Sequence, residues 1–373
     1  MRASVVPFFL LAAVLLSPVP AWAQPADATL YTGEVPVVVD AMDGAAGTPL
    51  LRALNQVLVR VTGRVGEDLV GELGLDESRA QSLALATQFR DVEAPVARPA
   101  SDRDSRDRRS QADRRAMTDT MVETVAVRHL RVEFDPIAID RLLDEASLPR
   151  WGRERPEMLL WMAGDGPDGA AYLDPDPLLG HALDRAEFRY GLPLTRPILD
   201  ARDRIEVTPS DIRGGFSGAA DAARTRYGAD GVVLLDLRRN EGYWTGRWVW
   251  RLGGEEQSFS RSGATPAEVA DLGLARIAGA LAARFAVRPD APDRRRVVVS
   301  GLARPVHYAE VRRFLAGLTG VDDLRVLAAE GDTLTFELVS RADGLQQRIE
   351  LSGLLRFVRH DIGSRTLYYA LAL

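Results

Sequence analysis

Five dipeptides set where this chain enters a helix. Thr48-Pro49, Asp135-Pro136, Asp176-Pro177, Thr208-Pro209 and Thr265-Pro266 each join a capping side chain to a proline suited to the first helical turn. At Thr265 the signal is strengthened by Glu268 three residues on, the pattern of a capping box. After Thr48-Pro49, the residues Leu50, Leu51, Leu54, Val57, Leu58 and Val61 keep one apolar face until Gly63 closes it.

Strand patterns fall between these starts. Tyr31 to Val39 reads as a strand, and Leu130, Val132 and Phe134 alternate with His129, Arg131 and Glu133 as a half-buried strand does. A helix follows with Ile139, Leu142, Leu143 and Ala146 inward. Next come the apolar run Met158 to Ala163, a helix from Pro177 to Tyr190 stopped by Gly191, a helix ending at Tyr227-Gly228, and the strand Gly231 to Leu237. The expected fold is therefore a multidomain α+β and α/β chain: an α+β region over 24–150, an α/β middle domain over 151–287, and a Pro, Asp and Arg-rich linker over 288–296. Beyond it, strand 297–300, helix 308–318, strands 324–328 and 333–339, a helix near 346–355 and strand 367–371 have the β-α-β-β-α-β order of a ferredoxin-like domain over 297–373.

The pattern fails between Ala94 and Thr120. Ser101 to Arg115 is almost entirely Arg, Asp and Ser, too polar to offset the entropy of ordering, so a disordered insertion is expected over 94–120.

At the amino end Arg2 precedes the apolar run Val5 to Leu16, then Ser17-Pro18-Val19-Pro20 and Ala21-Trp22-Ala23. This has the build of a secretory signal over 1–23 with cleavage after Ala23, and an apolar core of about a dozen residues falls short of the roughly 20 a membrane span needs. The expected product is a soluble periplasmic protein with no transmembrane anchor after cleavage. With no cysteine in the chain, disulfides and thiol lipidation are excluded. Every one of the 47 basic residues is arginine, which rules out Schiff-base, Ser-x-x-Lys and Walker lysine chemistry. The formal charge of −6 offers no general footprint for nucleic acid.

Leu30 to Val37, Val57 to Arg64, Arg155-Pro156 before Leu159-Leu160-Trp161, Arg189 to Leu194, Arg226 to Asp230 and Trp244 to Trp248 together resemble the bacterial family catalogued as domain of unknown function 2066. That resemblance implies an envelope protein and supplies no catalytic residues. The stretch from Tyr227 through Leu237 is also similar to the amino-terminal domain of the TolB protein and to curli-secretion lipoproteins, an analogy of fold alone.

Signals for chemistry are sparse. Gly164-Asp165-Gly166-Pro167-Asp168-Gly169 fits a dinucleotide fingerprint formally, yet Pro167 removes a donor, the aspartates repel phosphate, and no helix begins before Pro177; a surface turn is expected. Asp165, Asp168, Asp174 and Asp176 lack EF-hand spacing, and His129, His181, His307 and His360 lack a zinc pattern. Ser217 in Gly-Phe-Ser-Gly-Ala misses the nucleophile-elbow motif and reads as an N-cap. No catalytic residue, cofactor or metal is implied.

The most distinctive group is Trp244, Trp248 and Trp250, which a strand projects from one face with Gly246 and Leu252, leaving Arg247 and Arg251 on the other. Packing under a helix is the expected role; an exposed aromatic shelf for a glycan or partner protein is the competing one. The functional expectation is a non-enzymatic binding or assembly factor acting on an envelope protein or cell-wall component, with a carboxylate-dependent cell-wall hydrolase as the alternative.

Overall fold

The computed structural model describes residues 30–37, 47–99, 120–287, 293–340, 344–361 and 364–372. The expected leader, the Ser101 to Arg115 segment and residues 38 and 39 of the first expected strand lie outside them. The structure is mixed α and β throughout, built on three sheets, each with an apolar core of its own.

The first sheet has the order β1-β3-β2, from β1 (Thr32–Pro36), β2 (Ala84–Pro99) and β3 (Thr120–Phe134). Helix α1 (Pro49–Thr62) covers it, with short helices α2 (Leu69–Glu72) and α3 (Glu77–Leu83) before β2 and α4 (Pro136–Glu145) after β3. The Thr48 hydroxyl accepts from the Leu51 amide, and Gly63 ends α1 in the left-handed region at φ 71°, as its sequence signals require. Leu54, Val57, Leu58 and Val61 pack with Leu130, Val132 and Phe134. β2 was not expected, and it places Ala94 to Pro99, counted in the insertion expected over 94–120, in a strand, as β3 does Thr120.

The middle sheet runs β5-β4-β7-β8-β9, with β6 (Leu194–Thr195) beside β4. β4 (Met158–Gly166) and β7 (Gly231–Asn240) are parallel neighbours; β5 (Gly169–Tyr172), β8 (Tyr243–Leu252) and β9 (Glu255–Gly263) pair antiparallel. Both faces are covered. Leu160, Met162, Val233 and Leu235 pack under α5 (Pro177–Tyr190) and α9 (Pro266–Phe285), while Leu159, Trp161, Val232 and Leu234 meet α7 (Pro209–Gly214) and α8 (Ser217–Tyr227), which follow α6 (Ala201–Glu206). That double burial is why β4 and β7 read as unbroken apolar runs. All five proline-marked helices begin at the marked proline, with the preceding Thr or Asp accepting from the first turn.

The third sheet has the order β11-β12-β10-β14-β13. Its elements are β10 (Asp293–Ser300), α10 (Pro305–Gly317), β11 (Val321–Glu330), β12 (Thr333–Ser340), α11 (Leu345–Leu351), β13 (Leu355–Asp361) and β14 (Thr366–Leu371). The expected β-α-β-β-α-β order is present with one strand more. β14 pairs parallel to β10 and separates it from β13, so the split unit β12-α11-β13 straddles two strands where a ferredoxin-like sheet straddles one. Arg294, Arg295 and Arg296, expected in the linker, belong to β10 and pair with β12.

Candidate functional site

The tryptophan strand is core. Trp248 is 0% exposed and Trp250 2%, both packed with Leu274, Ile277 and Ala278 of α9; Trp244 is partly buried against the same cluster. A Cβ on Gly273 of α9 would overlap the Trp248 indole, so the missing side chain is what lets the helix close on the ring. Phe259 stacks on Trp248 from β9 at 6.2 Å between centroids. The reading of Trp248 and Trp250 as ligand or partner contacts fails for a physical reason: neither ring presents a surface to touch.

The other signals resolve locally. Gly166 pairs with Gly169 across Pro167-Asp168, a two-residue hairpin between β4 and β5. Asp165 meets Arg213 at 2.8 Å, and Asp176 caps α5. Ser217 is not the N-cap expected: Phe216 holds that position without a side-chain hydrogen bond, and the Ser217 hydroxyl donates to Glu256. His129 lies 3.5 Å from Glu34 and His307 contacts Arg304, while His181 sits on α5 and His360 on β13. Among the described residues no group of three or more His, Cys, Asp or Glu side chains could hold a metal.

Buried acids are held by arginines or phenols. Asp236 lies between Arg213 at 3.2 Å and Arg238 at 2.7 Å. Asp203 accepts from Tyr227 at 2.5 Å and faces Arg226 at 2.9 Å. Asp140 takes the Tyr31 hydroxyl at 2.7 Å and Arg150 at 3.0 Å; its carboxyl is raised by burial, and the Tyr31 phenol is raised by burial and by that carboxylate. Such pairs fix the geometry of these acids, of which Asp140 lines a cleft together with Tyr31 and Arg150.

Arginine also joins the first two units, which sequence reasoning missed. Arg155 donates from Nε to Gly152 O (2.8 Å), from Nη1 to Tyr190 O (2.9 Å) and Gly191 O (2.8 Å), and from Nη2 to Arg60 O (2.8 Å) and Trp151 O (2.7 Å). The guanidinium also lies 4.0 Å over the Trp151 ring. It thereby ties the end of α1 to the end of α5, where carbonyls lack helical partners and favour a cation. Arg60, 2% exposed, donates to Leu30 O and Thr32 O and stacks on Phe188 at 4.3 Å. Burial, reinforced by neighbouring cations, pulls both groups down to about 9, and both stay charged at neutral pH. A cleft of about 340 Å³ opens beside them, walled by Phe188, Leu192 and Pro193. The third unit is attached through the same segment: Thr319 N donates to Glu154 at 3.1 Å, and a Cβ on Gly152 would overlap the Thr319 side chain.

The feature with the most surface to offer is the β2–β3 hairpin. β1 pairs with β3 from His129 to Glu133, yet the β2–β3 ladder continues from Asp91↔Arg128 to Pro99↔Thr120. Those nine pairs make a two-stranded ribbon that reaches about 30 Å past the sheet. Large apolar side chains lie exposed along β2 and β3: Leu85 at 68%, Phe89 at 54%, Val96 at 36% and Val122 at 43%. Arg128 lies over the Phe89 ring at 5.4 Å, holding it in place without covering it. On the outer strand Arg90, Asp91, Glu93 and Pro95 blunt the free edge against chance strand pairing.

Comparisons with known proteins leave the function open. A family model described as a domain of unknown function (DUF8605) matches residues 26–152, which include the hairpin and α1. No curated protein matches the chain. Among solved structures, a ribosomal subunit interface protein from Coxiella burnetii is 13% identical, covers 34% of this chain and 97% of its own, and has a TM-score of 0.19, too low to bear on fold or function.

Proposed function

We propose that the protein is a secreted, non-enzymatic binding or assembly factor of the bacterial cell envelope that grips a partner protein with the β2–β3 arm. The observation that carries this reading is the exposed ribbon. A two-stranded hairpin is marginal in water without a further layer, and this one keeps Val96 and Val122 at its surface, with Phe89 and Leu85 exposed on the same strand toward its base. A partner seated on the ribbon supplies that layer. Because the edge of β2 is guarded by charge and proline, the contact runs through side-chain faces rather than through an added strand. The envelope address rests on the leader expected over 1–23 and on the resemblance to the domain of unknown function 2066 family, while the family model that matches residues 26–152 is a different one, DUF8605.

Two results are expected. Sequencing the mature protein finds Gln24 at its amino terminus in the periplasmic fraction; intact Met1 in a membrane fraction would remove the address. Tagged protein bearing Phe89→Asp with Val122→Asp keeps its melting temperature but loses the envelope protein that the unaltered chain retains after crosslinking. Equal recovery by both chains rules out the arm.

A further inference from the structure

The strand edges of this chain are guarded, with one exception. On β1 the side chains of α1 take up backbone groups: Arg60 donates to Thr32 O at 2.7 Å, Gln56 accepts from the Glu34 amide at 2.6 Å, and Arg52 donates to Pro36 O at 2.7 Å. β2 carries Pro95 and Pro99, β5 and β6 stop after four and two residues, and the ladders of β11 and β13 are broken by register shifts. The remaining edge is β9. Its nine residues pair with β8 without a shift and include no proline, and six of them are exposed. Among the described residues no strand pairs with its other side.

A regular, uncovered edge of this length is a template for another strand. The charges on β9 indicate which one. Glu256 turns to one face of the sheet, where it accepts from the Ser217 hydroxyl. Glu255 and Arg261 stand on the opposite face, each three residues from Ser258. Glu255 accepts from Arg284 at 3.1 Å and Gln257 at 2.9 Å, and its side chain is still 49% exposed. Arg261 donates to Ser260 O at 3.0 Å, which lays its guanidinium along the strand. Turned end for end about Ser258, the strand therefore sets each of these charges opposite its complement.

We propose that β9 pairs antiparallel with β9 of a second copy, about a two-fold axis at Ser258, so that the two middle sheets become one continuous sheet. Each Glu255 then faces Arg261 of the other copy, Gln257 faces Phe259, and Ser258 faces its own equivalent. Other registers lose this match: centring on Glu255 or on Arg261 opposes like charges, and centring on Phe259 leaves Glu255 opposite Gly263. A second copy carries the complementary pair at the required spacing by construction, and the two-fold pairing uses up both free edges and closes the assembly at a dimer. β9 lies in the middle unit, and its test does not involve the arm or the arm's partner.

Sedimentation equilibrium of the full chain over a concentration series is expected to show monomer and dimer in exchange. Glu255→Arg and Arg261→Glu, each alone, oppose like charges at two places and are expected to weaken the dimer about tenfold or more. An equal mixture of the two variants restores opposite charges at both places, and its mixed dimer is expected to form as readily as the unaltered one. Monomer at every concentration, which would leave the edge to a strand of another protein, overturns the proposal. So do single variants that dimerise as tightly as the unaltered chain, or a mixture that associates no more tightly than either variant alone.

Discussion

Arg155→Ala is expected to lower the stability of the folded chain by about 3 kcal/mol or more, the largest effect of any single polar substitution here. Five donor contacts vanish at once, and carbonyls of Arg60, Trp151, Gly152, Tyr190 and Gly191 lose their partner. A carbonyl left unsatisfied in the interior costs roughly 1–3 kcal/mol; water reaches part of this half-buried site, which keeps the total well below five times that. Arg155→Lys should recover little, because an ammonium has three donors and no planar fork. Since the lost contacts join α1 to α5, separation of the denaturant transition into two steps is also expected. An unchanged midpoint for Arg155→Ala would mean that the units hold together without it.

Trp248→Ala should cost about 3–5 kcal/mol, the range for removing a large aromatic side chain from a closed core. The ring is wholly buried between Phe259 and α9, and Gly273 offers no side chain to refill the space. Trp250→Ala should behave alike, while Arg247→Ala, on the opposite, more exposed side of β8, should be mild. Urea unfolding followed by circular dichroism measures all three. Near-native stability of Trp248→Ala, with its fluorescence quenched readily by an aqueous quencher in the unaltered chain, would contradict the burial described.

What the sequence discloses follows from what each element buries. The helices after Thr48, Asp135, Asp176, Thr208 and Thr265 are legible because cap and proline are local chemistry. β4 and β7 are legible because both faces are covered, and the tryptophan strand because its period of two survives folding. β2 is not: its side chains from Leu85 to Asp91 are all exposed, so no face was selected for apolar residues, and Pro95 and Pro99 argue against a strand that only an edge position permits. β13 hides for a related reason, since the bulge between Phe357 and Arg359 breaks its alternation. The Arg155 junction leaves no motif at all. Its five acceptors are backbone carbonyls drawn from residues as distant as Arg60 and Gly191, and a carbonyl has no residue type. Phe89 was invisible as a contact residue because it belongs to a strand whose neighbouring side chains are all exposed, so no alternation marks it, and its place at the base of the ribbon depends on where β1 ends along β3.

The central claim is that the arm meets a partner, and a photo-crosslinking amino acid placed at Phe89 in living cells tests it most directly, with the same group at Ile205, 80% exposed on α6, as the comparison. The account predicts a discrete adduct at position 89, identified by mass spectrometry as one envelope protein and absent at 205. No adduct at 89, or the same mixture of adducts at both positions, would contradict it.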